Sequence, residues 1–262
     1  MPTRIEKAAE FLVRSRRDNV QQDGIPEDCR PQNIDEALAV QQGVLALLGE
    51  KTGGWKCSVP IGDKLTIAPL PALGIRWSSP CSIRPNGSIA EIEPEIAFVL
   101  SQTLNPKPIP YSENEIRSAV GETRLVLELL GSRYRNPAAV SWFEALADSV
   151  RHQGMFIGPV LPEAFQKPLE GFHLSIQSPG GSVFDRDVRH PNGHPLRALY
   201  WLVNFLSSRG QAVQAGAIIT TGSYAGVIDA PMGAPLTLVY GALGKFAVEF
   251  RVSDIPLLSK EG

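Results

Sequence analysis

The chain has 262 residues, 43% of them hydrophobic and 20% charged, enough for a sizeable core in one large domain or one domain with a small appendage. A formal net charge of −2 and a pI near 6.1 give no reason to expect nucleic acid or an anionic membrane as partner. Three cysteines without CxxC spacing indicate neither a disulfide framework nor a zinc site, and with no signal-like start and no apolar run near the ~20 residues of a membrane span, a soluble cytoplasmic protein is expected.

Ile5, Ala8, Phe11 and Leu12 recur at helical spacing over residues 4–17, and the polar, proline-containing run "DNVQQDGIPEDCRPQ" ends that pattern. Asn33, with Glu36 three residues on, is placed to cap a second helix whose buried stripe is Ala37, Leu38, Val44, Leu45 and Leu48. Gly53-Gly54 then lead into "WKCSVP", short and extended, with Pro60 as its stop. From about residue 76 strand-like runs multiply: "EIAFVL", "RLVLELL", "GMFIGPVL", "GFHLSIQS", "AIITTGS", "APLTLVYG" and "KFAVEF", with turn signals at 178–181 and 241–244. Two helices interrupt them, one opened by the Ser112/Glu115 capping box over "SENEIRSAVGE", the other "HPLRALYWLVNFLSSRG" with Gly210 as its stop. Strands that mostly follow strands predict an α+β fold around a curled or barrel-like sheet.

Within "SIAEIEPEIAFVL", Glu91, Glu93 and Glu95 alternate, so in an extended chain they share one face while Ile92 and Ile96 point the other way. Three like charges on one face repel unless water or a cation lies between them. Glu128 is the harder case, because it stands inside the apolar run Leu125, Val126, Leu127, Leu129 and Leu130. A carboxylate there needs a partner or keeps its proton. One reading is an ion pair with Arg133 or Arg124; the other is that Glu128 meets Glu93 and Glu95 around a divalent cation. Oxygen-only ligands favour Mg²⁺, Mn²⁺ or Ca²⁺ over zinc. None of the four histidines is near either glutamate cluster in sequence.

"GGWKCSVP", "IEPEIAFVL", "LVLELLGSR", "NGHPLRALYWLVNFL" and "AGAIITTGS" stand in the order, and at roughly the spacing, of the 2-keto-4-pentenoate hydratase family, which includes 4-oxalocrotonate decarboxylase and lies in the fumarylacetoacetate hydrolase superfamily. The chain resembles that family from about Asn33 to Phe250. The resemblance implies a mixed β-roll or barrel at 76–262 behind a small helical cap at 1–75, with Glu93, Glu95 and Glu128 as ligands of Mg²⁺ or Mn²⁺ and Glu91 as a flanking solvated charge. It matches Lys56 to a family lysine, expected to stay protonated beside the carboxylates and to polarise or protonate substrate oxygens. Asp148 is the second acid/base candidate, Gly222, Ser223 and Ser58 are candidate substrate contacts, and His194 resembles the family's Gly-His-Pro while also fitting a helix cap. The implied reaction is addition of water to a 2-hydroxy-2,4-dienoate, giving a 4-hydroxy-2-oxo acid, as in aromatic catabolism, by a homo-oligomer. Decarboxylation of a 2-oxo diacid and non-catalytic binding of a small acid are the alternatives.

Two departures stand out. The family's Asp-Met element is missing from "IAPLPALGIRWSSPCSIRPNGS", and "LADSVRHQG" replaces an Ala-Asp-Asn segment followed by small residues. Arg151 and His152, the bulkier residues there, either favour a second acidic group on the substrate or face solvent. The hydrolytic branch of the superfamily uses a His-Glu pair on an N-terminal lid, and no histidine precedes His152 here.

Overall fold

The computed structural model describes residues 1–253. Five helices, α1 (Arg4–Asp18), α2 (Ile34–Leu48), α3 (Glu113–Ser118), α4 (Trp142–Ala147) and α5 (Leu196–Ser208), are set among thirteen strands. The strands are β1 (Thr52–Cys57), β2 (Ile67–Pro71), β3 (Ile75–Arg76), β4 (Cys81–Ile83), β5 (Ile89–Leu100), β6 (Val120–Leu130), β7 (His152–Val160), β8 (Gly171–Ser178), β9 (Gly181–Arg189), β10 (Ile218–Thr220), β11 (Ile228–Pro231), β12 (Pro235–Tyr240) and β13 (Lys245–Val252).

The Asn33 side chain accepts from the Glu36 N–H at 2.9 Å and opens α2, which ends on Gly49 in the left-handed region. Gln41 of α2 is buried and donates to Ile67 O (2.9 Å) and Leu146 O (2.6 Å), tying the helix to β2 and α4. The Ser112/Glu115 box forms as expected, but α3 stops at Ser118 because Ile116 is its only buried side chain and the chain enters β6 at Val120. Helix α4 was not expected; its signal is the same Ser-x-x-Glu spacing, here Ser141 and Glu144, which make a second capping box.

An eight-stranded sheet runs β2-β1-β10-β5-β6-β7-β3, with β11 also pairing β5, and a five-stranded sheet runs β4-β13-β12-β8-β9. Strands β1 and β2, inside the N-terminal segment 1–75, therefore belong to the larger sheet. The two sheets meet where the Tyr240 hydroxyl donates to Val126 O (3.0 Å) and where Phe156 stacks on Phe246 at 5.7 Å between centroids. The result is the α+β curled roll that the strand-after-strand order predicts.

Three features of this sheet position the site. Antiparallel register sets Glu93 directly opposite Glu128, with Glu95 opposite Val126. On the other side of β5, β11 pairs residues 89–92 and β10 pairs residues 97–99, leaving a gap beside 93–96. Pro94 stands in that gap, where its missing N–H leaves no ladder bond unmade, and its carbonyl accepts from the Tyr224 N–H (3.3 Å) of the connection that fills the opening. On β1, Gly54 lies so close to β10 that a Cβ there would sit 2.0 Å from Ile218 O, so only glycine lets the strand that carries Lys56 reach this register.

Candidate metal centre

Glu93, Glu95 and Glu128 offer carboxylate oxygens that all lie within 4.8 Å of one another. Glu128 is 0% exposed and Glu95 2%, and Glu93 is half-buried. Two like charges directly opposite across an antiparallel pair repel, and burial strengthens the repulsion. What compensates on the protein side comes from two other strands. Lys56 Nζ donates to Glu128 Oε1 at 2.6 Å and to Val150 O at 3.3 Å, and His152 Nδ1 meets the same Glu128 oxygen at 3.0 Å. Because an ionised carboxylate only accepts, His152 is the donor in that contact. Glu95 Oε2 accepts the Gly222 N–H at 3.0 Å, across the gap beside β5.

These neighbours divide the three carboxyls into unlike groups. Burial pushes Glu128 up, but the charge of Lys56 and the His152 contact outweigh it, so its pKa ends below the ordinary value. Glu93 is raised to about 7 by burial and the charge of Glu128, and Glu95 is raised well above the ordinary carboxylate value by burial, with Glu128 and Glu93 beside it. Burial alone would lower Lys56; Glu128, Glu93 and Glu95 together reverse that and raise it. Glu128 Oε2 is buried with no hydrogen-bond partner among the described residues. An orphaned carboxylate oxygen between two further carboxyls is what a hard divalent cation satisfies, so the donor set fits Mg²⁺ or Mn²⁺.

The segment over this cluster is strained. Ser149, Val150 and Arg151 all have positive φ, at 58°, 50° and 67°. Left-handed backbone costs roughly 1–2 kcal/mol per non-glycine residue, and a β-branched valine is least suited to it. The turn brings Val150 O to Lys56, His152 under Glu128, and Arg151 into an ion pair with Glu91. Backbone strain of this kind concentrates where geometry serves function.

The remaining sequence expectations find definite places. Glu91 is not a solvated charge: its side chain is 12% exposed and pairs with Arg151. Glu128 takes neither suggested arginine, since Arg124 pairs with Glu122 and Arg133 with Asp148. Asp148 is buried between Arg133 and Arg16 and accepts the Arg133 N–H at 3.2 Å, while Arg133 reaches on to His152 O at 2.9 Å. It is joined to the cluster only through those groups. The Gly222 N–H is engaged by Glu95, and the Ser223 hydroxyl donates to Gly226 O and accepts from the Ala225 N–H inside its own turn. Ser58 is half-buried two residues from Lys56, and His194 caps α5 by accepting the Leu196 N–H at Nδ1 (3.2 Å). His152 is the residue that sequence distance concealed: it is 24 positions from Glu128, and antiparallel pairing of β6 with β7 closes that distance.

Comparison with known proteins finds relatives in sequence and neighbours in fold. No family model matches the chain. A 2-hydroxyhexa-2,4-dienoate hydratase of Comamonas testosteroni is 26% identical over 234 residues, covering 83% of this chain and 86% of that protein. Among solved structures, 4-oxalocrotonate decarboxylase from Pseudomonas putida G7, complexed with magnesium and adipate, superposes with a TM-score of 0.77 at 19% identity, over 96% of this chain and 99% of that one. A protein of the fumarylacetoacetate hydrolase family from Yersinia pestis CO92 superposes with a TM-score of 0.54 at 17% identity, over 75% of this chain and 91% of that one.

Proposed function

We propose that this chain, a relative of the 2-keto-4-pentenoate hydratases with the fold of the fumarylacetoacetate hydrolase superfamily, is a divalent-metal-dependent hydro-lyase. It adds water to a 2-hydroxy-2,4-dienoate and yields a 4-hydroxy-2-oxo acid. The observation that carries this reading is the buried Glu93–Glu95–Glu128 cluster with Lys56 hydrogen-bonded to one of its members.

Glu93, Glu95 and Glu128 would hold the cation, and Gly222 fixes Glu95 through its N–H. A divalent cation bound there would supply Lewis acidity toward the oxygens of a 2-oxo acid. Lys56 remains an ammonium, because three carboxyls surround it, and so serves as a hydrogen-bond donor and proton source toward substrate oxygen. His152 and the strained Val150 carbonyl hold Glu128 and Lys56 in place. Asp148, committed to two arginines, positions Arg133 and through it the backbone of His152. Ser58, whose hydroxyl has no partner among the described residues, and Ser223 flank the site as substrate contacts.

The test is a titration of Mg²⁺ or Mn²⁺ against loss of dienol absorbance with 2-hydroxypenta-2,4-dienoate. Metal-dependent loss with uptake of water is expected; no turnover of this acid or of a dicarboxylic 2-hydroxydienoate with either metal would overturn the reading. Release of CO₂ from a 2-oxo diacid, measured on the same preparation, separates the decarboxylase alternative. Within this reading the protein works as a cytoplasmic homo-oligomer. Among the described residues no helix is long and apolar enough to cross a membrane, and Trp77, Ile61 and Ile109 leave large apolar side chains on the surface for a second copy to cover.

A further inference from the structure

Beside the carboxylate cluster lies a cavity of about 570 Å³ that the chemistry above does not use. Its wall includes His152, whose ring bonds Glu128, so cavity and candidate metal centre share that residue. Six arginines line it; Arg17 and Arg135 are exposed, and the other four, Arg16, Arg84, Arg133 and Arg151, are buried or half-buried against Glu91 and the Asp148 carboxylate that Arg16 and Arg133 both use. Four guanidinium groups against two carboxylates leave an excess of two positive charges. Arginine stays charged near neutral pH, so the excess is permanent.

The excess falls on particular atoms. Arg84 has no hydrogen-bond or ion-pair partner for its guanidinium among the described residues, although it is half-buried. Burial first, then Arg133 and Arg84, disfavour the charge on Arg16, with Asp148 opposing them; burial first, then Arg133, disfavours that on Arg84. The Nε atoms of Arg16 and Arg151 are buried without partners. Nor is Arg84 there by accident of a loose loop: Gln153 accepts from its N–H at 3.0 Å and donates to its carbonyl at 2.9 Å, clasping its backbone against β7. Like charges are held together here with donors unspent, a costly arrangement unless an anion completes it. Arginine's planar fork suits a carboxylate bidentately.

We propose that this cavity is the subsite for a second carboxylate at the far end of the substrate, read by Arg84 with Arg16 and Arg151, and that the substrate is therefore a dicarboxylic 2-hydroxydienoate rather than a monoacid. This rests on the hydratase reading for the near end of the substrate and adds what meets the far end. The bulkier Arg151-His152-Gln153 segment is then the specificity element: Arg151 faces the far carboxylate, His152 holds Glu128, and Gln153 holds Arg84.

Adipate, a saturated diacid that cannot be hydrated, is the binding probe for the full-length chain in Mg²⁺, with hexanoate as monoacid control. Adipate should bind at least about tenfold more tightly than hexanoate. Arg84→Gln should remove that preference, and Arg84→Lys should keep part of it. Because Arg84 stands among like charges, Arg84→Gln should melt at an equal or higher temperature than the parent, which separates lost binding from lost folding. In turnover, the kcat/KM ratio of a 2-hydroxy-2,4-dienedioate to 2-hydroxypenta-2,4-dienoate should exceed one and fall about tenfold in Arg84→Gln, mainly through KM. Equal binding of adipate and hexanoate, or an unchanged ratio in the variant, overturns the proposal. So does adipate binding that is equally tight without Mg²⁺, since the near carboxylate would then not be at the metal centre. Arg84-dependent, Mg²⁺-dependent adipate binding with no turnover of either dienoate leaves the subsite standing and removes the hydratase reading.

Discussion

At the scale of single residues, the site depends on which charges are compensated and which are not. Lys56 is 6% exposed and gives Glu128 its shortest contact, so Lys56→Met leaves a buried carboxylate with only His152 hydrogen-bonded to it. We expect Lys56→Met to lose about a hundredfold or more in kcat while still binding Mn²⁺, as read by steady-state kinetics and Mn²⁺ titration. Turnover that survives with metal bound would remove Lys56 from the chemistry. His190 gives a pH prediction away from the carboxylates. It is 3% exposed, donates from Nε2 to Thr221 O (3.0 Å) and accepts the Asn192 N–H at Nδ1 (3.2 Å), an arrangement only the neutral ring can make. Burial pushes its pKa down to about 4, against about 6.5 in the unfolded chain. Between those values the unfolded state binds the extra proton, so the His190 contribution to stability falls as pH drops from about 6.5 toward 4. Glu93, raised to about 7, acts in the opposite sense over the same range, so the His190 contribution is read as the difference between the parent and His190→Gln in urea unfolding at steps across it. The parent should lose stability relative to the variant as pH falls.

At the scale of elements, the larger sheet works through an interruption. The break between β11 and β10 lets Gly222 reach Glu95 and accommodates Pro94, which an unbroken ladder on that side would not. The β5–β6 register sets the Glu93–Glu128 pair, and a slip of one residue would turn every carboxylate to the other face. Strand β1 needs Gly54 for its approach to β10. Gly54→Ala would place a Cβ 2.0 Å from Ile218 O and push β1 away, with Lys56 two residues on. Its expected cost is about 3 kcal/mol or more, seen as a lower urea midpoint together with loss of turnover. A variant as stable as the parent would mean that β1 can shift without losing its pairing.

At the scale of the whole molecule, the candidate metal centre joins β5 to β6 and, through Lys56 and His152, to β1 and β7. A cation bound there stabilises the folded chain by mass action, by about 2.7 kcal/mol at a hundred times Kd. The melting temperature should therefore rise with Mg²⁺ concentration, fall on chelation, and lose that dependence in Glu128→Gln, as scanning calorimetry can measure. Much of this was legible in the chain itself. Period-two alternation put Glu91, Glu93 and Glu95 on one face, a carboxylate inside the apolar run around Glu128 demanded a partner, and Ser-x-x-Glu spacing marked α3, because each signal is local and short-range physics decides it. Which partner Glu128 takes was not legible, since Lys56 lies 72 positions away and reaches it only through the order β1-β10-β5-β6. His152 under Glu128, Glu91 tied to Arg151, and Arg84 left uncompensated beside a cavity are likewise products of strand order and register. The sequence by itself determined which residues carry charge and which segments extend; only the folded sheets decided which charges meet, because electrostatic pairing depends on distance in space and the chain sets only distance along itself.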